Sequence, residues 1–145
     1  WVWGYSLSTF QTAVDCWSTT SGCQAGIMDA CHCKMCQRWT GSLFIEMDAE
    51  DAHIRFTSDE TLAWYDSSDW ARRGFCSRCG SSLFYRMKQD GAKWAVLAGT
   101  LDLPPGHEIR MEIFVDEKPD YYDLAGDRPR LTAEETLARF GEPQQ

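Results

Sequence analysis

Residues 31–36 read CHCKMC, and residues 75–86 read FCSRCGSSLFYR. The first stretch sets Cys31, Cys33 and Cys36 within six positions, and the second adds Cys76 and Cys79. With Cys16 and Cys23 the chain holds 7 cysteines, an odd number that cannot pair completely. Cys31 and Cys33 are also too close for an unstrained bridge, which needs defined separations and side-chain directions. A reducing compartment keeps such thiols free. A disulfide framework is therefore not expected, and metal ligation is.

Zinc takes thiolates in a tetrahedron, and a Cys-x₂-Cys turn presents two sulfurs at a suitable separation. Cys33/Cys36 and Cys76/Cys79 both have that spacing, and Gly80 with the small residues after it lets the second turn fold back. One zinc ribbon using both pairs is the simplest arrangement. Its linker would be residues 37–75, longer than the roughly 15–20 residues usual for a ribbon. It would also leave Cys16, Cys23 and Cys31 unused. A two-metal arrangement uses all the cysteines: a closed four-sulfur site, which is structural, and an open three-sulfur site at Cys31, Cys33 and Cys36, which is the catalytic pattern. Spacing alone leaves both open.

Outward from the cysteines, short alternating segments predict strands at 42–47, 52–56, 61–65, 81–87, 93–99 and 109–115. The stretch KQDG at 88–91 carries the Asp-Gly signal of a hairpin. Only the tail, LTAEETLARFG, reads as a helix. Thr132 and Glu135 make a capping box, Leu137 and Phe140 face inward, and Gly141 closes the end. Residues 115–130 form a polar connection with two tyrosines, open to reading as a lid, a partner surface or a plain surface loop. Residues 1–30 give no firm element.

The chain has 145 residues, of which 43% are hydrophobic, and is expected to be one domain, 1–145, with an atypical amino-terminal segment at 1–28. A formal charge of −8 argues against a partner that must be gripped by its phosphates and against anionic membranes. The sequence holds no apolar run long enough to span a bilayer. The start, WVWGYSLSTFQTAVDCW, lacks the basic opening and apolar core of a signal peptide, so a cytoplasmic protein is expected.

In combination, CHCKMCQRWTG, WARRGFCSRCGSSLFYR and IFVDEKPDYYDLAGDRPRLT resemble the glutathione-dependent formaldehyde-activating enzyme family, which includes centromere protein V. The resemblance runs from about residue 29 to 141. It implies a mainly β fold of the β-tent type, small antiparallel sheets around zinc, with a short C-terminal helix. It implies that Cys31, Cys33 and Cys36 hold a catalytic zinc and that Cys76 and Cys79 supply half of a structural one. The family's other half-site is an amino-terminal Cys-x-Cys in a Gly-Cys-x-Cys-Gly context. Here SGCQAG has Ala25 where the second cysteine belongs, so Cys16 and Cys23 are assigned to complete the structural site.

An open three-thiolate zinc is a modest Lewis acid and a good acceptor of a further soft ligand. A substrate thiol is such a ligand, and it loses its proton on binding. With glutathione and formaldehyde the product is S-(hydroxymethyl)glutathione, formed by a carbon–sulfur lyase. The expected partners are thus a small-molecule thiol and aldehyde, with glutathione as co-substrate; a homo-oligomer stays open. Glutathione's carboxylates call for cations, and Arg38, Arg72 and Arg73 are candidates, each also readable as a surface arginine. Trp39 walls the pocket or packs a core. His32 points away from the metal and is either a proton relay or an ordinary turn histidine; His53 and His107 receive no role. Two other classes compete: a non-catalytic zinc-stabilised module that binds glutathione or a protein, and a thiol–disulfide oxidoreductase with free thiols.

Overall fold

The computed structural model describes residues 27–141 except 55, 57, 58, 102 and 104. Among the described residues the chain forms eight strands and two α-helices. In chain order these are β1 (Ile27–Cys31), α1 (Lys34–Thr40), β2 (Phe44–Ala49), β3 (Leu62–Asp66), β4 (Ala71–Cys76), β5 (Ser82–Met87), β6 (Trp94–Leu97), β7 (Glu108–Ile113), β8 (Arg130–Leu131) and α2 (Ala133–Phe140). The strands hydrogen-bond in the order β3-β4-β5-β6-β2-β1-β7-β8. The mainly β fold with a short C-terminal helix is as expected. The strands join in one ladder, and two of its pairings, β1 with β7 and β7 with β8, are parallel. Parallel neighbours need a long crossover. Residues 32–107 provide it between β1 and β7.

Side chains alternate across the sheet and give it two different faces. One face carries Phe84, Trp94, Val96 and Ala49, with Trp64, Leu62 and Cys76 packed on them; Leu83, at the bulge opposite Gly74 and Phe75, joins the same cluster. The other carries Phe44, Tyr85, Ala95, Leu97 and Ile113 against Cys31, Cys36 and Trp39. Gly74 sits on the first face because a Cβ there would lie 2.9 Å from Phe84 Cδ2 and 3.2 Å from the Trp64 ring.

The hairpin predicted around KQDG is present, with β5 and β6 antiparallel through Phe84↔Val96. The segment expected as a strand at 52–56 instead opens with a 3-10 turn at Asp51–His53. Asp51 holds that turn, accepting hydrogen bonds from Arg86 Nη2 at 2.8 Å and Trp94 Nε1 at 2.7 Å. The tail helix has its capping box: Thr132 Oγ1 accepts from the Glu135 N–H at 3.2 Å, and Glu135 Oε2 accepts from the Thr132 N–H at 2.8 Å. Its inward residue is the buried Thr136, whereas Phe140 is 58% exposed, contrary to the inward position expected for it. No helix among the described residues is long and apolar enough to cross a membrane.

Candidate metal centre

Cys31 ends β1, a strand fixed on both sides by β2 and β7. The chain then turns through His32, whose N–H donates to Ile113 O at 3.0 Å. Cys33 is the N-cap of α1, its Sγ accepting from the Cys36 N–H at 3.4 Å. One helical turn later Cys36 points back at the same spot. Strand end, cap and first turn thus bring Cys31, Cys33 and Cys36 together with their sulfurs within 4.8 Å of one another.

The three thiols share their protons unequally. Hydrogen bonds from Cys31 and Cys36 bring Cys33 down to about 2. Cys31, donating to Cys33 and Cys36 and buried besides, is pushed far up. Cys36 gains from the Cys31 hydrogen bond but loses through its bond to Cys33 and its burial, and ends raised to about 11. Of the three, Cys33 is thus the sulfur most disposed to give up its proton, and Cys31 the least. Arg73, only 2% exposed, stands beside it with Nη2 3.5 Å from Cys36 Sγ. Three sulfurs with no oxygen among them suit a soft or borderline ion such as zinc, which would take the place of their protons. The residues present fit the group.

Behind the cysteines lies a polar lattice. His32 is fully buried, with Nδ1 2.7 Å from the Tyr122 hydroxyl and Nε2 3.0 Å from Glu112 Oε2. Burial holds its imidazole below the ordinary value, against the pull of Glu112. Glu112, 1% exposed, also accepts from Arg128 Nη1 at 2.9 Å and Arg130 Nε at 3.1 Å. Burial raises the Glu112 carboxyl, but the hydrogen bonds from Arg128 and His32 outweigh it and leave it lowered. The connection 115–130 is thus tied down by its inward side chains. Its Glu117 carbonyl accepts from Gln37 Nε2 at 2.9 Å, and Gln37 also donates to His32 O.

The other named residues fall in different places. Arg73 and Trp39 lie at the cysteines, the Arg73 guanidinium 5.8 Å from the Trp39 ring centre. Arg72 points to the opposite face of β4 and lies 4.4 Å over Trp64. Arg38 is exposed on α1. Cys76 and Cys79 occupy the β4–β5 turn, where the Gly80 N–H donates to Cys76 O at 2.7 Å and Gly80 takes φ 79°. Burial opposes it, but the N–H groups of Cys79 and Arg78 bring Cys76 down to about 7. Cys16 and Cys23 lie outside the described residues.

Sequence reading did not pick out Phe44, Tyr85, Glu112, Tyr122, Arg128 or Arg130. A signal existed for Glu112, a charge within the alternating run IRMEIFV.

A family profile described as glutathione-dependent formaldehyde-activating enzyme matches residues 14–117. The chain is also similar to an uncharacterized lyase of the fission yeast Schizosaccharomyces pombe. The two are 26% identical over 110 residues, covering 76% of this chain and 80% of the relative.

Proposed function

The chain belongs to the glutathione-dependent formaldehyde-activating enzyme family, and on that premise we propose that it is a zinc-dependent carbon–sulfur lyase, joining a small thiol to a small aldehyde or parting them. The observation that carries this reading is the convergence of the Cys31, Cys33 and Cys36 sulfurs within 4.8 Å. We assign glutathione as the thiol and formaldehyde as the aldehyde, with S-(hydroxymethyl)glutathione as the adduct.

Cys31, Cys33 and Cys36 would hold the zinc and leave one position for the substrate. Bound there, zinc favours the thiolate over the thiol form of an incoming sulfur. The protein's own part is to orient and to exclude water. Phe44, Tyr85 and Trp39 wall the cysteines on the sheet side. The exposed Arg38 on α1 is available to a glutathione carboxylate outside the walls. Thiols add to formaldehyde unaided, so the site builds on an existing reaction, and orientation and deprotonation are its first contributions. Cys76 and Cys79 would supply half of a second, structural zinc, with Cys16 and Cys23 as its other ligands. The net charge of −8 supports small-molecule partners over nucleic acid, and we place the reaction in the cytoplasm.

The test combines calorimetric titration with glutathione and exchange spectroscopy of the glutathione–formaldehyde adduct. The wild-type protein binds glutathione and accelerates exchange, and Cys33→Ser loses both. Binding without acceleration would instead indicate a carrier module, and full turnover in Cys33→Ser would refute the reading.

A further inference from the structure

Alternation along β4 sends Arg73 to the cysteine face, where its guanidinium lies 5.0 Å from the Tyr85 ring centre, 5.8 Å from Trp39 and 5.9 Å from Phe44. Nη2 is occupied with Cys36 Sγ at 3.5 Å. Nη1 is buried and has no hydrogen-bond partner among the described residues. No described carboxylate pairs with Arg73. Trp39 Nε1, on one of the rings beside it, is likewise buried and unpartnered. A buried donor left unpaired is costly, and a buried cation more so. Two such donors beside three converging sulfurs call for an acceptor brought in by the substrate.

We propose that Arg73 Nη1, assisted by Trp39 Nε1, is the site that receives the aldehyde oxygen while the thiolate sulfur adds to the carbonyl carbon. This rests on the lyase reading above and names the group that manages the oxygen. Arg73 Nη2 lies 3.5 Å from Cys36 Sγ, so Nη1 best serves an acceptor within a bond or two of a sulfur bound beside that cysteine. In an S–C–O unit the oxygen meets that condition. The carboxylates of glutathione, many bonds from its sulfur, do not. The aromatic walls also favour a small, unhindered aldehyde over a bulky one. In the step, the sulfur lone pair forms the C–S bond and the C=O π pair moves onto oxygen. The alkoxide is held by the waiting N–H groups and then takes a proton from water, replacing the one the thiol gave up. Donors already aimed at the charge that develops are the most effective form of such stabilisation.

The experiment measures three quantities on the full chain with matched zinc content: kcat for adduct exchange, glutathione affinity by calorimetry, and binding of ¹³C-formate by line broadening. Arg73→Lys keeps the charge but loses the fork. It should lower kcat by about 10²–10³-fold, the usual cost of one oxyanion donor. Formate affinity should fall about ten-fold, as for one lost charge-assisted hydrogen bond. Glutathione affinity should hold. Guanidinium should restore turnover to Arg73→Ala, which a purely structural loss would not allow. If Arg73→Lys fails to fold, Trp39→Phe keeps the wall, removes one donor and should show the same pattern more weakly. Unchanged kcat with unchanged formate binding overturns the proposal. So does a ten-fold loss of glutathione affinity with kcat retained, which would make Arg73 a contact of the thiol. Arg73-dependent formate binding in a protein that does not accelerate exchange supports the oxygen site and fails the glutathione reading.

Discussion

The two Cys-x₂-Cys pairs share a spacing and little else. Cys33 and Cys36 span a strand-to-helix junction, and a third sulfur, Cys31, reaches them from β1. Cys76 and Cys79 sit at a hairpin turn where Cys79 is exposed and its sulfur lies 3.4 Å from Ser81 Oγ. In the first group hydrogen bonds from neighbouring thiols bring Cys33 down to about 2. In the second, turn N–H groups bring Cys76 only to about 7. The contrast teaches that spacing makes a cysteine pair capable of ligation, whereas the elements around it decide what the pair can do. The trio is complete and buried against Arg73, suited to chemistry. As proposed above, the pair would be half of a structural site completed by sulfurs from elsewhere, which would suit a clip.

The sharpest way to break this contrast is to swap serine into each group. Cys36→Ser should lower adduct exchange by more than about 100-fold, beyond the 10- to 100-fold cost of losing a mere partner of a ligand. Cys79→Ser should lower the melting temperature and leave turnover in the folded fraction intact. Equal losses of turnover would erase the distinction.

Glu112 tests the scaffold that only the trio has. Glu112→Gln takes the charge from a carboxylate serving His32, Arg128 and Arg130, and should cost about 3 kcal/mol in urea unfolding, the low end for a broken buried pair because Arg130 is half exposed. Its lowered pKa fixes the pH sign. The contribution is present above the ordinary glutamate value of about 4.3 and is lost as pH falls through the folded value. Wild-type stability should therefore drop on acidification through that range, and the drop should shrink in Glu112→Gln.

Gly74→Ala probes the strand that leads to the pair. Its Cβ would meet Phe84 at 2.9 Å, and overpacking of this kind costs about 1–3 kcal/mol by denaturant titration. Thr132→Ala removes the cap of α2, a helix that carries no cysteine. It should cost about 1 kcal/mol and leave metal content unchanged.

Much of this was legible in the sequence. Alternation marked β2, β3, β5, β6 and β7 to within a few residues, since each has one face in a core. The α2 cap was legible because Thr132 and Glu135 act locally. What sequence reading missed depended on distant partners. The strand β4 reads ARRGFC, and its two arginines hide the alternation by lying over aromatic rings on opposite faces. The helix α1 is a single short element held by its Cys33 cap and by the bond from Gln37 to Glu117, 80 residues further along the chain. The cysteines announced the site, but the Glu112–His32–Tyr122 lattice did not announce itself. Its members come from three segments: the β1–β7 pairing brings His32 and Glu112 together, and the 115–130 connection carries Tyr122 to His32. Phe140 misled because a periodic position on a two-turn terminal helix need not meet anything.

The central claim is that Cys31, Cys33 and Cys36 hold zinc while leaving a place for a thiol. X-ray absorption at the zinc edge tests it most directly, on a Cys76→Ser/Cys79→Ser protein in which the trio is the zinc site. The account predicts three sulfurs at about 2.3 Å with one lighter atom, and four sulfurs after glutathione is added. A shell of four sulfurs before any thiol is added, unchanged by glutathione, would contradict it.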